Sequence, residues 1–331
     1  MDDFELFEAP DYPYNELDLK PSGQKKKYRI KWHLIGFNSE ADTIKLDSSV
    51  SIKRVSLRER EKFYENTDSL HEIDKITLVE DHEFMLVWNY ESIWPWNNLW
   101  DSKAHIISAQ VESFFKLFLR IDVGLKYNAE YRYNSENQRY ERTGAFFQTF
   151  RKIPFYGHRD IIKFDKKGSQ SIRKLWRLYW DIDLDKNKAI RVALNRFFDS
   201  EHRGRDDDSI IDLMIGLEAI FLSEFSELKQ RLSLRISKYL ENEQSPELVY
   251  EFMKAAYKVR SKVAHGNTFS NKDFKFNGYD YDIHYFHMFL REILRLCLVR
   301  YFHEFRHVEL KKLHEMIDKA IINSQPLGFG K

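Results

Sequence analysis

Apolar residues change their spacing near Gly168. Ahead of it, YRIKWHLIGF from Tyr28, TIKLDSSVSIKRVSL from Thr43 and EFMLVWNY from Glu83 place apolar side chains on alternate positions, most plainly at Ile44, Leu46, Val50, Ile52 and Val55. A period of two buries one face of a strand, so this half is expected to be β-rich. Beyond Gly168 the apolar period lengthens to about 3.6, and short polar breaks separate the segments. The expected helices are Ser171–Tyr179, Lys188–Asp199, Asp208–Ser223, Ser226–Glu241, Pro246–Ala264 and a long one from about Asp280 to Phe305 with an extension. At 331 residues the chain can bury two cores. The expected fold is therefore α+β, with a β-rich N-terminal domain over residues 1–168 and an all-α bundle over 169–331.

Composition narrows the functional classes. Hydrophobic residues make up 43% and charged residues 32%, with few glycines and prolines, which excludes a disordered or fibrous chain. A net charge of +1 gives no global attraction to a polyanion, so any nucleic-acid surface must be a local patch. Cys297 is the single cysteine and lies in an apolar helical run. It excludes an intrachain disulfide and a cysteine zinc site, and it fits a buried thiol in a reducing compartment. The absence of any apolar run of membrane-spanning length, and a start (MDDFELFEAPDYPYNELD) that is acidic where a signal peptide is basic and then apolar, lead to the expectation of a cytoplasmic protein without a membrane partner.

Within the first half, VESFFKLFLRIDVGLKY reads as an amphipathic helix and NAEYRYNSENQRYERTG as a loop or hairpin. Trp94, Trp96 and Trp100 in SIWPWNNLW could stack on bases, although clustered aromatics more often fill a core or a seam. Two motifs fail on their own chemistry. HEFRH, His303 to His307, has the two histidines and the glutamate of a zinc peptidase but no third ligand in reach of the pattern. DIDLDKNK, from Asp181, begins like a calcium loop but carries Lys186 where the sharp turn needs glycine and Val192 where a bidentate glutamate belongs. Glycine-rich phosphate loops and nucleophile elbows are absent. No cofactor and no metal are expected.

One constellation remains, in YKVRSKVAHGN from Tyr257. Ser245 can cap the helix that carries it, Pro246 suits its first turn and Gly266 suits its stop. Leu248, Phe252, Ala256, Val259 and Val263 form its expected core stripe. At about 100° per residue, Arg260 and His265 stand roughly 140° apart, and the arc between them holds Tyr257, Ser261 and Ala264. Two groups able to carry charge thus flank a surface of small residues. By itself the pattern is more often an ordinary helix end, where a cation interacts well with the macrodipole.

The segment resembles the R-x(4–6)-H motif of HEPN ribonucleases, and its surroundings are similar to the Apea-like branch of that superfamily. The matching residues are DDSIIDLMIGLEAIFLSE (Asp207 to Glu224), ELKQRLSLRISKYL (Glu227 to Leu240) and then YKVRSKVAHGN. Upstream, HLIGF and SSVSIKRVSLRERE look like the β-rich leader found in many such proteins, so the likeness extends over most of the chain from about residue 30 and is firm only from about 190 to 305. It implies an all-α HEPN-type helical bundle that forms a homodimer, with two motif helices lining one cleft, and metal-independent cleavage of RNA. Arg260 and His265 take the motif positions. Ser261 departs from the asparagine, aspartate or histidine that often follows the arginine in the family.

In such chemistry the RNA 2′-hydroxyl attacks the adjacent phosphorus. Histidine moves protons near neutral pH, and arginine grips two phosphate oxygens through its planar fork. Tyr257, Ser261, Lys262 and Glu218 are expected to support the pair, with Lys258 and Arg235 as lesser candidates. Glu218 and Arg235 each more often belong to a buried structural ion pair, and the lysines are more often solvated. The resemblance further implies an effector of a defence or stress system, whose β-rich half binds a regulatory protein or trigger. A non-catalytic HEPN module that binds RNA or protein is the alternative.

Overall fold

The computed structural model describes residues 25–64, 83–92, 105–121, 123–146, 163–201, 203–223, 227–266, 270–276 and 278–328. The tryptophans of SIWPWNNLW and the acidic start lie outside these residues. The fold has mixed α and β content, with an antiparallel sheet followed by helices. It divides into two compact units. Among the described residues no helix is long and apolar enough to cross a membrane.

The first unit is a six-stranded sheet. In chain order the strands are β1 (Lys26–Ile35), β2 (Thr43–Lys45), β3 (Val50–Arg54), β4 (Phe84–Ser92), β5 (Gly124–Asn134) and β6 (Arg139–Phe146), arranged β2-β3-β4-β1-β5-β6 with every neighbouring pair antiparallel. Helix α1 (Leu57–Tyr64) follows β3, within a stretch expected to be strand-like throughout. The alternation on β1 works as the sequence suggests: Tyr28, Ile30, Trp32 and Leu34 are buried, while Arg29 and Lys31 between them are only partly so. Cross-strand pairing stacks Tyr28 on Tyr90 at 5.3 Å, and along β4 Trp88 stacks on the same Tyr90 at 4.4 Å. Glu130 sits opposite Ile30, fully buried, and accepts a hydrogen bond from the Tyr90 hydroxyl at 3.3 Å. Burial pushes its carboxyl up to about 7.

The NAEYRYNSENQRYERTG stretch is the β5–β6 hairpin, with Gln138 in the left-handed region at φ 55° closing its turn. The helix expected over VESFFKLFLRIDVGLKY is shorter than its apolar run. Helix α2 (His105–Phe114) continues into a π turn over Phe115–Leu119, stops at Arg120 in the left-handed conformation, and gives way to β5 at Gly124. A continuous apolar run fits either a buried helix or a buried strand, and here it supplies both. Glu112 through Val123, although within the expected first domain, belongs to the helical unit.

That unit contains α3 (Lys166–Trp180), α4 (Lys188–Asp199), α5 (Asp206–Phe221), α6 (Leu228–Tyr239), α7 (Pro246–Ala264), α8 (Ile283–Arg300, extended by a π turn to Phe305) and α9 (Leu310–Ile322). α3 starts earlier than expected because Asp165 caps it, its carboxylate accepting from the Gly168 amide at 2.6 Å. The anticipated extension of the long helix is a separate helix, α9. Helices α4, α5 and α8 meet closely at Gly216, where an added Cβ would lie 2.8 Å from Leu294 Cδ2 and 3.5 Å from the Ala193 backbone. Cys297 is buried on α8, and burial raises its thiol well above the ordinary range. Arg235 is likewise structural, forking onto both Asp318 oxygens at 2.9 and 2.7 Å and donating to the Phe221 carbonyl at 2.7 Å.

Candidate functional site

The candidate site lies at the C-terminal end of α7. Pro246 occupies its first turn, and Gly266 ends it at φ +67°, a conformation that costs glycine little. Ser245 is the N-cap residue by backbone position, but its side chain makes no capping hydrogen bond, contrary to expectation. The buried stripe is Val249, Phe252, Met253, Ala256 and Val259, whereas Leu248 and Val263 are only partly buried. The stripe therefore lies slightly round the helix from the one expected, through Val249 and Met253. This rotation sets Arg260, four residues after Ala256, at the margin of the packed face.

Arg260 reaches α5. Its Nη2 lies 3.3 Å from Glu218 Oε2, with the arginine side chain 31% and the glutamate side chain 20% exposed. Burial raises the Glu218 carboxyl and the Arg260 guanidinium pulls it back down. Among the described residues, Arg260 Nε and Glu218 Oε1 are buried without a hydrogen-bond partner. The pair is thus a single long contact rather than a fork, and it positions the guanidinium with donor capacity unspent. The Tyr257 ring lies 6.0 Å from the Arg260 guanidinium carbon, at the outer edge of cation–π range.

His265 is the C-cap residue of α7 and is exposed. Its amide donates to the Ser261 carbonyl at 3.2 Å, and the Gly266 amide donates to the Val263 carbonyl at 3.0 Å. His265 therefore stands at the carbonyl end of the helix. Ala264 is exposed and Ser261 is partly so. Arg260 and His265 are five positions apart, about 7.5 Å along the helix axis.

The two lysines have other partners. Lys262 Nζ lies 2.7 and 2.8 Å from the Asp273 oxygens and Lys258 Nζ lies 3.1 Å from one of them, so both are tied to the turn Asn271–Phe274 packed against α7. Lys262, Lys258 and a backbone hydrogen bond from Ser270 hold the Asp273 carboxyl well below the usual carboxylate range. The expected supporting residues therefore divide. Glu218 and Tyr257 approach Arg260, whereas Lys262 and Lys258 neutralise a buried aspartate. Asp273 escaped the sequence reading because its partners on α7 lie 11 and 15 positions away across a turn.

The two rejected motifs hold no ion-binding geometry. His303 packs its ring 6.1 Å from Phe118, Glu304 is taken by Arg300 at 2.9 Å, and the HEFRH stretch runs through a π turn rather than an α-helix. In DIDLDKNK, Asp183 accepts from the Asp185 and Lys186 amides and shapes the turn before α4. An open cavity of about 450 Å³ between α6 and α9, lined by Gln230, Arg231, Leu234, Arg235 and Ile321 among others, contains none of the motif residues. Comparison of the chain with protein-family models, with curated proteins and with solved structures gave no match.

Proposed function

We propose that this chain is a HEPN-type, metal-independent endoribonuclease that acts as a homodimer, with Arg260 and His265 as its reacting pair. The observation that carries the reading is the asymmetry at the end of α7: a guanidinium steered by Glu218 at 3.3 Å with donors to spare, and an exposed imidazole at the helix C-cap. In the reaction a bond forms between the RNA 2′-oxygen and phosphorus, and the bond from phosphorus to the 5′-oxygen breaks. The 2′-hydroxyl loses a proton and the departing 5′-oxygen gains one. One imidazole cannot occupy both sides of the phosphorus, so a twofold dimer that brings two copies of His265 to one groove supplies a base and an acid. Arg260 binds the non-bridging oxygens as their charge develops. Purified protein incubated with total RNA in the presence of chelator tests the reading. Cleavage that persists supports it, and RNA left intact with and without added metal removes it.

A second reading, a non-catalytic HEPN module for RNA or protein binding, draws on one specific observation. Asp273 and Glu218 offset two of the three charges on Lys258, Lys262 and Arg260, leaving little free positive charge beside His265. RNA binding without turnover in the same incubation would favour it. The roles of defence or stress effector, and of the sheet unit as receptor for a trigger, rest on the resemblance and belong to the same proposal.

A further inference from the structure

A second cluster of functional side chains lies at the far end of α5. Asp206 and Glu218 are twelve positions apart, about 18 Å along the helix, so this cluster is distinct from the Arg260 surface. Asp206 opens α5, while His284 and His287 stand one turn apart at the start of α8, which packs against α5. His287 Nδ1 lies 3.5 Å from Asp206 Oδ1 and His284 Nδ1 lies 4.0 Å from Asp206 Oδ2. One ligand atom from each of the three residues lies within 4.8 Å of the others.

His287 gives this cluster its meaning. It is only 8% exposed, and both of its ring nitrogens are buried without a hydrogen-bond partner among the described residues. A buried imidazole with two idle nitrogens needs a reason. An ordinary hydrogen-bonded pair with Asp206 does not supply one, because the 3.5 Å approach leaves both ring nitrogens without a hydrogen bond. Two other acids of α5 are already engaged: Asp207 by Arg205, and Asp212 by Arg196 and Arg203. Asp206 instead faces the two imidazoles.

We propose that Asp206, His284 and His287 bind a divalent transition-metal ion of the zinc class, joining the start of α5 to the start of α8. Two neutral imidazoles and one carboxylate suit zinc, cobalt or nickel, whereas calcium and magnesium require oxygen ligands throughout. Bonds of 2.0–2.1 Å place the ligand atoms of a tetrahedral zinc site about 3.3 Å apart, so the 3.5 Å spacing needs to close by about 0.2 Å, the 4.0 Å spacing by about 0.7 Å, and the widest, no more than 4.8 Å, by at most about 1.5 Å. The His284 side chain, 65% exposed, is free to make that adjustment. Three protein ligands leave the fourth position for water. An ion held there would tie the start of α5 to the start of α8, since its ligands come from both.

Full-length protein stripped of metal and titrated with zinc chloride by calorimetry tests this. The expected result is one tight site per chain, a melting temperature raised by zinc but not by calcium or magnesium, and visible absorption bands on substitution with cobalt. His284→Ala removes an exposed ligand without disturbing the core, so it should weaken zinc binding by at least about 100-fold and abolish the cobalt bands. Asp206→Asn should act in the same direction. Absence of a tight site in the parent, or zinc affinity unchanged in His284→Ala and Asp206→Asn, overturns the assignment. Because the readout is binding, the result is independent of whether the chain cuts RNA.

Discussion

Replacing Glu130 by glutamine isolates what the sheet unit loses by burying a carboxyl. Glu130 is fully enclosed, and burial moves its pKa from an ordinary 4.5 to about 7. Between these values the folded chain holds a proton that the unfolded chain releases, so stability is full below about pH 4.5 and falls as pH rises through 7. The shift of about 2.5 pH units corresponds to roughly 3.4 kcal/mol at about 1.36 kcal/mol each. From pH 5 to pH 8 the loss should be about 2.5 kcal/mol, since part of the window lies below pH 5. Glutamine keeps the size, still accepts from the Tyr90 hydroxyl and never ionises. Urea unfolding of parent and Glu130→Gln, followed by tryptophan fluorescence at several pH values, should show the variant gaining on the parent by that amount as pH rises. A difference between the two proteins that stays constant from pH 5 to pH 8 would refute the reasoning.

Three further substitutions probe other links. Arg260→Lys keeps the charge but loses the fork, so RNA cleavage should fall as far as in Arg260→Ala; parental rates in the lysine variant would reduce Arg260 to an electrostatic anchor. Ala264→Arg adds bulk and charge on the exposed face of α7 and should give a folded, inactive monomer by light scattering and circular dichroism. A dimer that still cuts RNA would show that the interface lies on another face. Gly216→Val drives a branched side chain into Leu294 and the Ala193 backbone, and should lower unfolding free energy by about 2–3 kcal/mol; a change below about 0.5 kcal/mol would mean that α4, α5 and α8 can separate cheaply.

The parts of this fold that sequence makes readable are those where local chemistry and apolar period agree. α7 runs from Pro246 to Ala264 as expected because a proline suits its first turn and Gly266 its stop. α3 was readable only from its first apolar residues, since KKGSQS carries no stripe and the Asp165 cap lies before it. FFKLFL could not announce its π turn, nor Arg120 its left-handed stop, because an apolar run has no period to break. For the candidate site, the spacing of Arg260 and His265 is local and visible, whereas the pairing of Arg260 with Glu218 spans 42 positions and depends on how two helices pack. The same applies to Asp206: the His284-x-x-His287 spacing stands in the sequence, but its carboxylate partner comes from another helix.

The central claim, that His265 moves protons in RNA cleavage, is tested most directly by the ends of the products. Parent protein incubated with a defined single-stranded RNA should leave 2′,3′-cyclic phosphate and 5′-hydroxyl ends with chelator present, and His265→Ala, folded as judged by circular dichroism, should cut about 10²- to 10⁴-fold more slowly. Products with 5′-phosphate ends, or cleavage by the folded His265→Ala variant at the parental rate, would contradict the account.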